Sequence, residues 1–347
     1  MIRTVSLKPK AYHLFENTLR IKNRIVGVGW HRKDPFRHFG PGGVDEAERL
    51  CLETGRDLLG YLSVPADVPA ERLTVTRRRS AAARHAVLAF GSPAPSGFPE
   101  NDRVVARLFP ARRPRKDAAA IVFHHALFQK SWALWRWFLT PLTDRFPVVM
   151  MAAPYHFERT PAGQFAGEGS VNPNPFRLYQ SFRQWAWDQK ALATAMREGV
   201  GLTPVAVMGF SLGAFQTLLT AAAGGIPELP LVSVASTSRY AHGLYEGVLG
   251  AGTVDGLTRA GIDRARLERM VEAIQLERYV PRLADRQVLF IAGRHDFVDP
   301  PPSGERLEAA LRPTRSVWLD VGHATTVLER DRVAREVLGF LESLGLS

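Results

Sequence analysis

The sequence predicts an α/β protein built on a mainly parallel sheet with helices on both faces. Three observations carry that reading. From Ala118 onward, short apolar runs alternate with longer segments of helical spacing, the pattern of consecutive strand–helix units. Residues 204–208 lead through Gly209-Phe210-Ser211-Leu212-Gly213 into an apolar helical stretch that stops at Gly224 and Gly225, as when a strand turns sharply into a helix. And 347 residues with 46% hydrophobic content suffice to bury one large core.

Residues 1–43 show little periodicity. Val26-Gly27-Val28-Gly29-Trp30 and Phe39-Gly40-Pro41-Gly42-Gly43 suggest irregular structure packed on the main body. Residues 45–62 read as a helix, with acids in the first turn and Ala47, Leu50, Leu58, Leu59 and Leu62 on one stripe. Cys51 lies there and reads as core filler; as the single cysteine it excludes an internal disulfide and a cysteine-based metal site. Strands at 73–76, 85–90 and 104–109, interrupted by the proline-rich residues 92–99, give an antiparallel start to the sheet.

The alternating region then runs through a strand at 118–123, a helix at 132–143 and a strand at 148–152. A long helix at 176–197 precedes the strand–corner–helix unit, and a strand at 231–235 follows it. After a mostly helical insertion at 238–283 come a strand at 288–292, a helix at 304–311, a strand at 316–319 and a closing helix at 327–344. The expected organisation is an N-terminal extension, 1–72, packed on a core domain, 73–347, that carries 238–283 as a cap.

The formal charge is +11, yet only seven of the 45 basic residues are lysines, a skew that genome composition explains. Clusters at Arg77-Arg78-Arg79 and Arg112-Arg113-Pro114-Arg115-Lys116 are accompanied by no zinc-finger, helix-turn-helix or RNP-like pattern, so a nucleic-acid partner is not expected. Attraction of the arginine surface to anionic lipid is the remaining partner reading. The stretch between Glu198 and Glu228 carries no charge, but Pro204 and its interior glycines fit a buried strand–turn–helix better than a membrane span. The first ten residues have charges with no apolar run behind them, so no secretory signal is read and a cytoplasmic protein is expected.

The chemistry is sought just after the strands, because ligands of such sheets gather beyond the carboxyl ends. At the corner, Gly209 and Gly213 leave room where strand and helix pass closely, and the hydroxyl of Ser211 stands above the sheet. A serine needs a histidine to take its proton, and the histidine needs an acid to hold its tautomer. Asp296 follows the 288–292 strand, and His323 follows the 316–319 strand within Gly322-His323-Ala324. Asp299 is a nearby alternative acid, Asp320 a strand-end residue, and His156 a competing base whose place in the chain order fits poorly. An oxyanion needs preset backbone donors. Leu212 is one candidate, at the positive end of the corner helix. The loop Phe123-His124-His125-Ala126-Leu127 offers Ala126 or Leu127 as the second, with Ala126 preferred, while His124 and His125 also read as a structural pair. Tyr155, His156 and Arg159, on the loop after 148–152, are candidate substrate contacts, and the Gly/Asn/Pro-rich residues 163–175 a rim over the pocket.

The motifs Gly-Phe-Ser-Leu-Gly, Gly-Arg-His-Asp and Gly-His-Ala, in that order on alternating elements, resemble the α/β-hydrolase superfamily over roughly residues 73–347. Residues 90–102, from Phe90-Gly91-Ser92-Pro93 to Asn101-Asp102, with Pro154-Tyr155-His156, are similar to the family called α/β-hydrolase domain containing 18. The resemblance implies an α/β-hydrolase fold and ester, thioester or amide chemistry on a small acyl substrate without a cofactor or metal. By it, Ser211 is the nucleophile, His323 the base and Asp296 the acid. A non-catalytic binding protein on the same fold is the alternative, supported by the missing glycine in the 123–127 loop.

Overall fold

The computed structural model describes residues 35–65, 73–80, 83–113, 118–238 and 250–346. The expectations placed on Val26–Trp30, on most of both arginine clusters' side chains and on the start of the 238–283 insertion lie outside them. Of those clusters Arg112 and Arg113 are described and exposed, and Arg112 lies 3.1 Å from Asp144.

Among the described residues the strands are β1 (Thr74–Ser80), β2 (Ala83–Gly91), β3 (Arg103–Phe109), β4 (Ala119–His124), β5 (Val148–Met151), β6 (Thr203–Phe210), β7 (Leu231–Val234), β8 (Val288–Gly293) and β9 (Arg315–Leu319). They form one sheet in the order β1-β2-β3-β5-β4-β6-β7-β8-β9. β1 through β3 pair antiparallel with their neighbours, and every pair from β5 across to β9 is parallel. The α/β expectation and its antiparallel start both hold.

The helices are α1 (Gly43–Arg56), α2 (Leu58–Leu62), α3 (Pro99–Asp102), α4 (Trp132–Leu139), α5 (Phe176–Val200), α6 (Leu212–Ala222), α7 (Gly250–Arg259), α8 (Arg264–Val271), α9 (Pro301–Leu311) and α10 (Arg330–Ser343). They cover both faces. Alternate residues of β4 show this directly: Ala120 and Val122 join a core with α1, α5, α6 and α9, whereas Ile121 and Phe123 join another with α4 and α10. A parallel sheet sandwiched in this way must be apolar on both faces, and every residue of β4, β5, β7 and β8 is buried.

Several boundaries differ from the sequence reading for local reasons. The 45–62 helix is two helices, because Asp57 leaves helical geometry and its carboxylate caps the second by accepting from Gly60 N at 2.9 Å. Ala47, Leu58 and Leu62 are buried as expected, with Leu50 and Leu59 half-buried. The 132–143 helix ends at Leu139, and a 3-10 turn follows Pro141. α9 starts three residues early, with proline in its first turn, where a missing N–H costs nothing. α5 runs on to Val200, closed by Gly201 at φ 67°. The described part of the 238–283 insertion is helical, and α8 is tied to α1 by Arg266, which donates to Glu48 at 2.8 Å.

Candidate active site

The corner between β6 and α6 is as tight as its glycines require. A Cβ at Gly209 would lie 2.2 Å from the carbonyl oxygen of Gly213. One at Gly213 would lie 2.3 Å from the carbonyl oxygen of His124. The second glycine therefore makes room for the end of β4, not for its own strand. Ser211, between them, takes φ 56° and ψ −118°, a conformation that persists only where surrounding structure over-determines it. Ser211 N donates to Val234 O at 2.8 Å and its carbonyl accepts from Phe215 N at 3.0 Å, so the sheet ladder and the first turn of α6 both grip the residue.

Three predicted residues from the ends of three strands meet over this corner. Ser211 Oγ lies 2.7 Å from His323 Nε2, and His323 Nδ1 lies 2.7 Å from Asp296 Oδ2. A carboxylate only accepts, so Nδ1 carries the proton and Nε2 is left to accept from the serine hydroxyl. Asp296 Oδ1 takes the backbone N–H groups of Val298 and Asp299 at 2.8 and 2.9 Å, which fixes the carboxylate plane. All three residues are buried. The first amides of α6, Leu212 included, face a helix N-terminus where partial positive charge collects. The turn after β4, whose His124 and His125 carbonyls lie against Gly213, carries Ala126 and Leu127, both half-buried.

No protein-family model matches the chain, and no curated protein matches it. Solved structures do. The chain is similar to an acetyl xylan esterase from Paenibacillus sp. R4 at TM-score 0.57 and 10% identity, over 83% of this chain and 92% of that one. It is similar to acetyl xylan esterase 1 from Thermoanaerobacterium sp. at 0.52 and 18%, over 84% and 93%. A thermostable carboxyl esterase from Bacillus coagulans gives 0.51 and 14%, over 75% and 98%. With the sheet order and the placement of the 211, 296 and 323 loops, these matches decide the architecture. The chain has the α/β-hydrolase fold.

Within this α/β-hydrolase fold, the loop after β5 is not the substrate-contact loop that its position suggested. Tyr155, His156 and Arg159 are interior, at 1%, 0% and 0% exposure. Arg159 spends its guanidinium on Asn101 O, Ala152 O and Asp188 Oδ2, at 2.9, 3.0 and 2.7 Å. Asn101 takes Tyr155 N at 2.7 Å and donates to Ser96 and Gln184, while Ser92 donates to Asp188 at 2.6 Å. Ser92, Asn101 and the backbone of Tyr155, from the stretches that carried the narrower resemblance, thus meet Arg159 and Asp188 in one largely buried polar network. Nor is 163–175 a peripheral rim: residues 166–173 are buried, and Gly169 presses so closely on Tyr155 that a Cβ would lie 2.3 Å from its ring.

His156 does not compete with His323. Its ring lies inside the protein, donating from Nδ1 to Pro154 O and accepting Phe128 N at Nε2. His124 bonds Gln189 and, at 3.0 Å, Thr217 of α6. Asp299, the alternative acid, instead accepts from Ser238 Oγ at 3.0 Å; burial, then the charge of Asp296, pushes it up to about 6. Ser238, at the root of the insertion, was not read from sequence, since no motif marks it.

Burial holds His124 and His156 at about 4 and His125 well below its ordinary value, with His156 adding to the effect. A histidine released by unfolding takes up a proton near pH 6.5. The stability that His124 or His156 contributes is therefore complete above about pH 6.5 and lost as pH falls toward 4, by up to about 3 kcal/mol for each of these two rings. A variant isolates one ring from Asp299 and Asp188, which burial pushes in the opposing direction. Between pH 7 and 4.5, the stability gap between wild type and His156→Gln should narrow by about 2–3 kcal/mol in urea unfolding. A gap independent of pH would contradict a neutral buried imidazole.

Proposed function

We propose that the protein is a serine hydrolase that cleaves a carboxylic ester or related acyl bond through an acyl-enzyme. The observation that carries the reading is the hydrogen-bonded line from Ser211 Oγ through His323 to Asp296. Ser211 attacks the carbonyl carbon as His323 Nε2 takes its proton, and Asp296 stabilises the imidazolium that results. The oxyanion takes the amide N–H of Leu212 and that of Ala126. His323 then returns the proton to the departing alkoxide. Water, deprotonated by the same ring, attacks the acyl-serine and releases the acid. The esterase names of the similar structures favour an ester over a peptide, and no metal or redox group takes part in these steps.

Initial rates with p-nitrophenyl acetate test the proposal: saturable hydrolysis is expected, rising with pH as His323 loses its proton. A non-catalytic binding role is the competing reading. It is favoured by His125, a bulky residue in the loop where hydrolases of this fold often carry glycine. Absence of turnover across short-chain esters would support it.

A further inference from the structure

The turn after β4 and the loop after β5 are joined by two imidazoles, each using both nitrogens on backbone groups. His125 Nδ1 lies 2.7 Å from Ala126 O, and its Nε2 accepts Ala153 N at 2.9 Å. His156 Nδ1 lies 2.8 Å from Pro154 O, and its Nε2 accepts Phe128 N at 3.1 Å. A carbonyl only accepts and an amide N–H only donates, so these partners assign both rings to the same neutral tautomer, protonated on Nδ1. We propose that His125 and His156 are positioning residues that fix the second oxyanion donor, by tying its turn to the loop after β5. The inference rests on the reading of Ser211 as nucleophile.

Several observations converge on it. The rings pack edge to face with centroids 5.0 Å apart, and Phe157 covers His125 at 4.7 Å. Both are wholly buried. The charged and titratable groups that act on them are Arg159 and His124, and burial keeps both rings neutral, as acceptance at Nε2 requires. A trans peptide sets its C=O and N–H on opposite sides. Anchoring Ala126 O therefore directly fixes the direction of Leu127 N–H, and by pinning the residue between the two peptides it restrains the preceding one, which carries Ala126 N–H. Among the described residues neither Ala126 N–H nor Leu127 N–H has a hydrogen-bond acceptor, which leaves both available to an oxyanion.

Backbone geometry around the two rings is strained. Phe128, Tyr155 and Phe157 have φ values of 63°, 65° and 51°, the left-handed region that side chains disfavour. Such residues hold their shape where neighbours over-determine it, and they gather at functional sites. Gly167, at φ 87°, lets the backbone close over His156; a Cβ there would lie 2.9 Å from Nε2. Glycine in an oxyanion loop frees the backbone, whereas here the same turn is held by two side-chain clamps.

His156→Phe keeps a planar aromatic ring, somewhat larger than imidazole, and removes both the acceptor for Phe128 N–H and the donor to Pro154 O. In protein shown by circular dichroism to be folded, kcat for p-nitrophenyl acetate should fall on the order of 100-fold with KM nearly unchanged. His156→Gln, whose Oε1 accepts in place of Nε2, should recover most of that loss. A folded His156→Phe protein with wild-type kcat would overturn the inference, as would equal losses in both variants. Imidazole ¹⁵N NMR of the wild type at pH 7 is independent of turnover and should show both rings protonated on Nδ1 alone. The other tautomer in either ring would overturn the clamp even in an inactive protein, whereas absent wild-type turnover with correct tautomers would refute the proposed function instead.

Discussion

Ser211→Ala is expected to lower kcat for p-nitrophenyl acetate by roughly 10⁴-fold or more, with KM changed little. The substitution deletes the one atom that would bond to the acyl carbon, while the residue's neighbours are Phe210 and Leu212, which carry no nucleophile. The fold should be unaffected. Ser211 is held through its backbone, by Val234 O on one side and Phe215 N on the other, and alanine keeps those bonds. His323 stays bound to Asp296, so ground-state binding of the ester is preserved. Steady-state kinetics with a melting curve for each protein checks both halves. A variant retaining more than about a hundredth of wild-type kcat would remove Ser211 from the chemistry, since loss of a serine nucleophile costs far more than that.

Arg159→Met should lower stability by about 3–5 kcal/mol, because it strands the carboxylate of Asp188 inside the protein. Both side chains are wholly buried and 2.7 Å apart. Asp188 keeps Ser92 as a donor, yet one hydroxyl does not offset the lost charge. Burial already pushes Asp188 above the usual carboxylate range even with Arg159 in place. Asn101 O and Ala152 O lose their donor as well. Adding Asp188→Leu should recover part of the loss, since replacing a buried pair by apolar groups is often nearly neutral. Urea unfolding of the wild type, the single and the double variant measures this. A single-variant loss under about 1 kcal/mol would show that water reaches the pair.

The parts of this molecule that sequence disclosed are those set by short stretches of chain. The corner is legible because Gly209 and Gly213 are demanded within four residues of each other, and the strand and helix around Ser211 are contiguous. Asp296 and His323 are legible because the loops after β8 and β9 sit at one sheet edge in any parallel arrangement. What failed depended on covering elements far along the chain. Tyr155, His156 and Arg159 look like site residues because a polar loop at the active edge usually faces solvent. Here Asn101, Asp188 and residues 166–173 close over them, and no local pattern announces that. Gly167 and Gly169 suggested a loose rim, whereas each serves close packing against a ring. The break at Asp57 was missed for a different reason: its carboxylate caps from within an otherwise continuous apolar stripe.

The central claim is that the hydroxyl over the β6–α6 corner is activated by His323 to bond an acyl group. Labelling with a fluorophosphonate, followed by intact-mass measurement and peptide mapping, tests it most directly. The account predicts one adduct per chain, on Ser211, formed quickly in the wild type and not at all in Ser211→Ala or, at comparable rate, in His323→Ala. An adduct on another residue, or equal labelling of all three proteins, would contradict it.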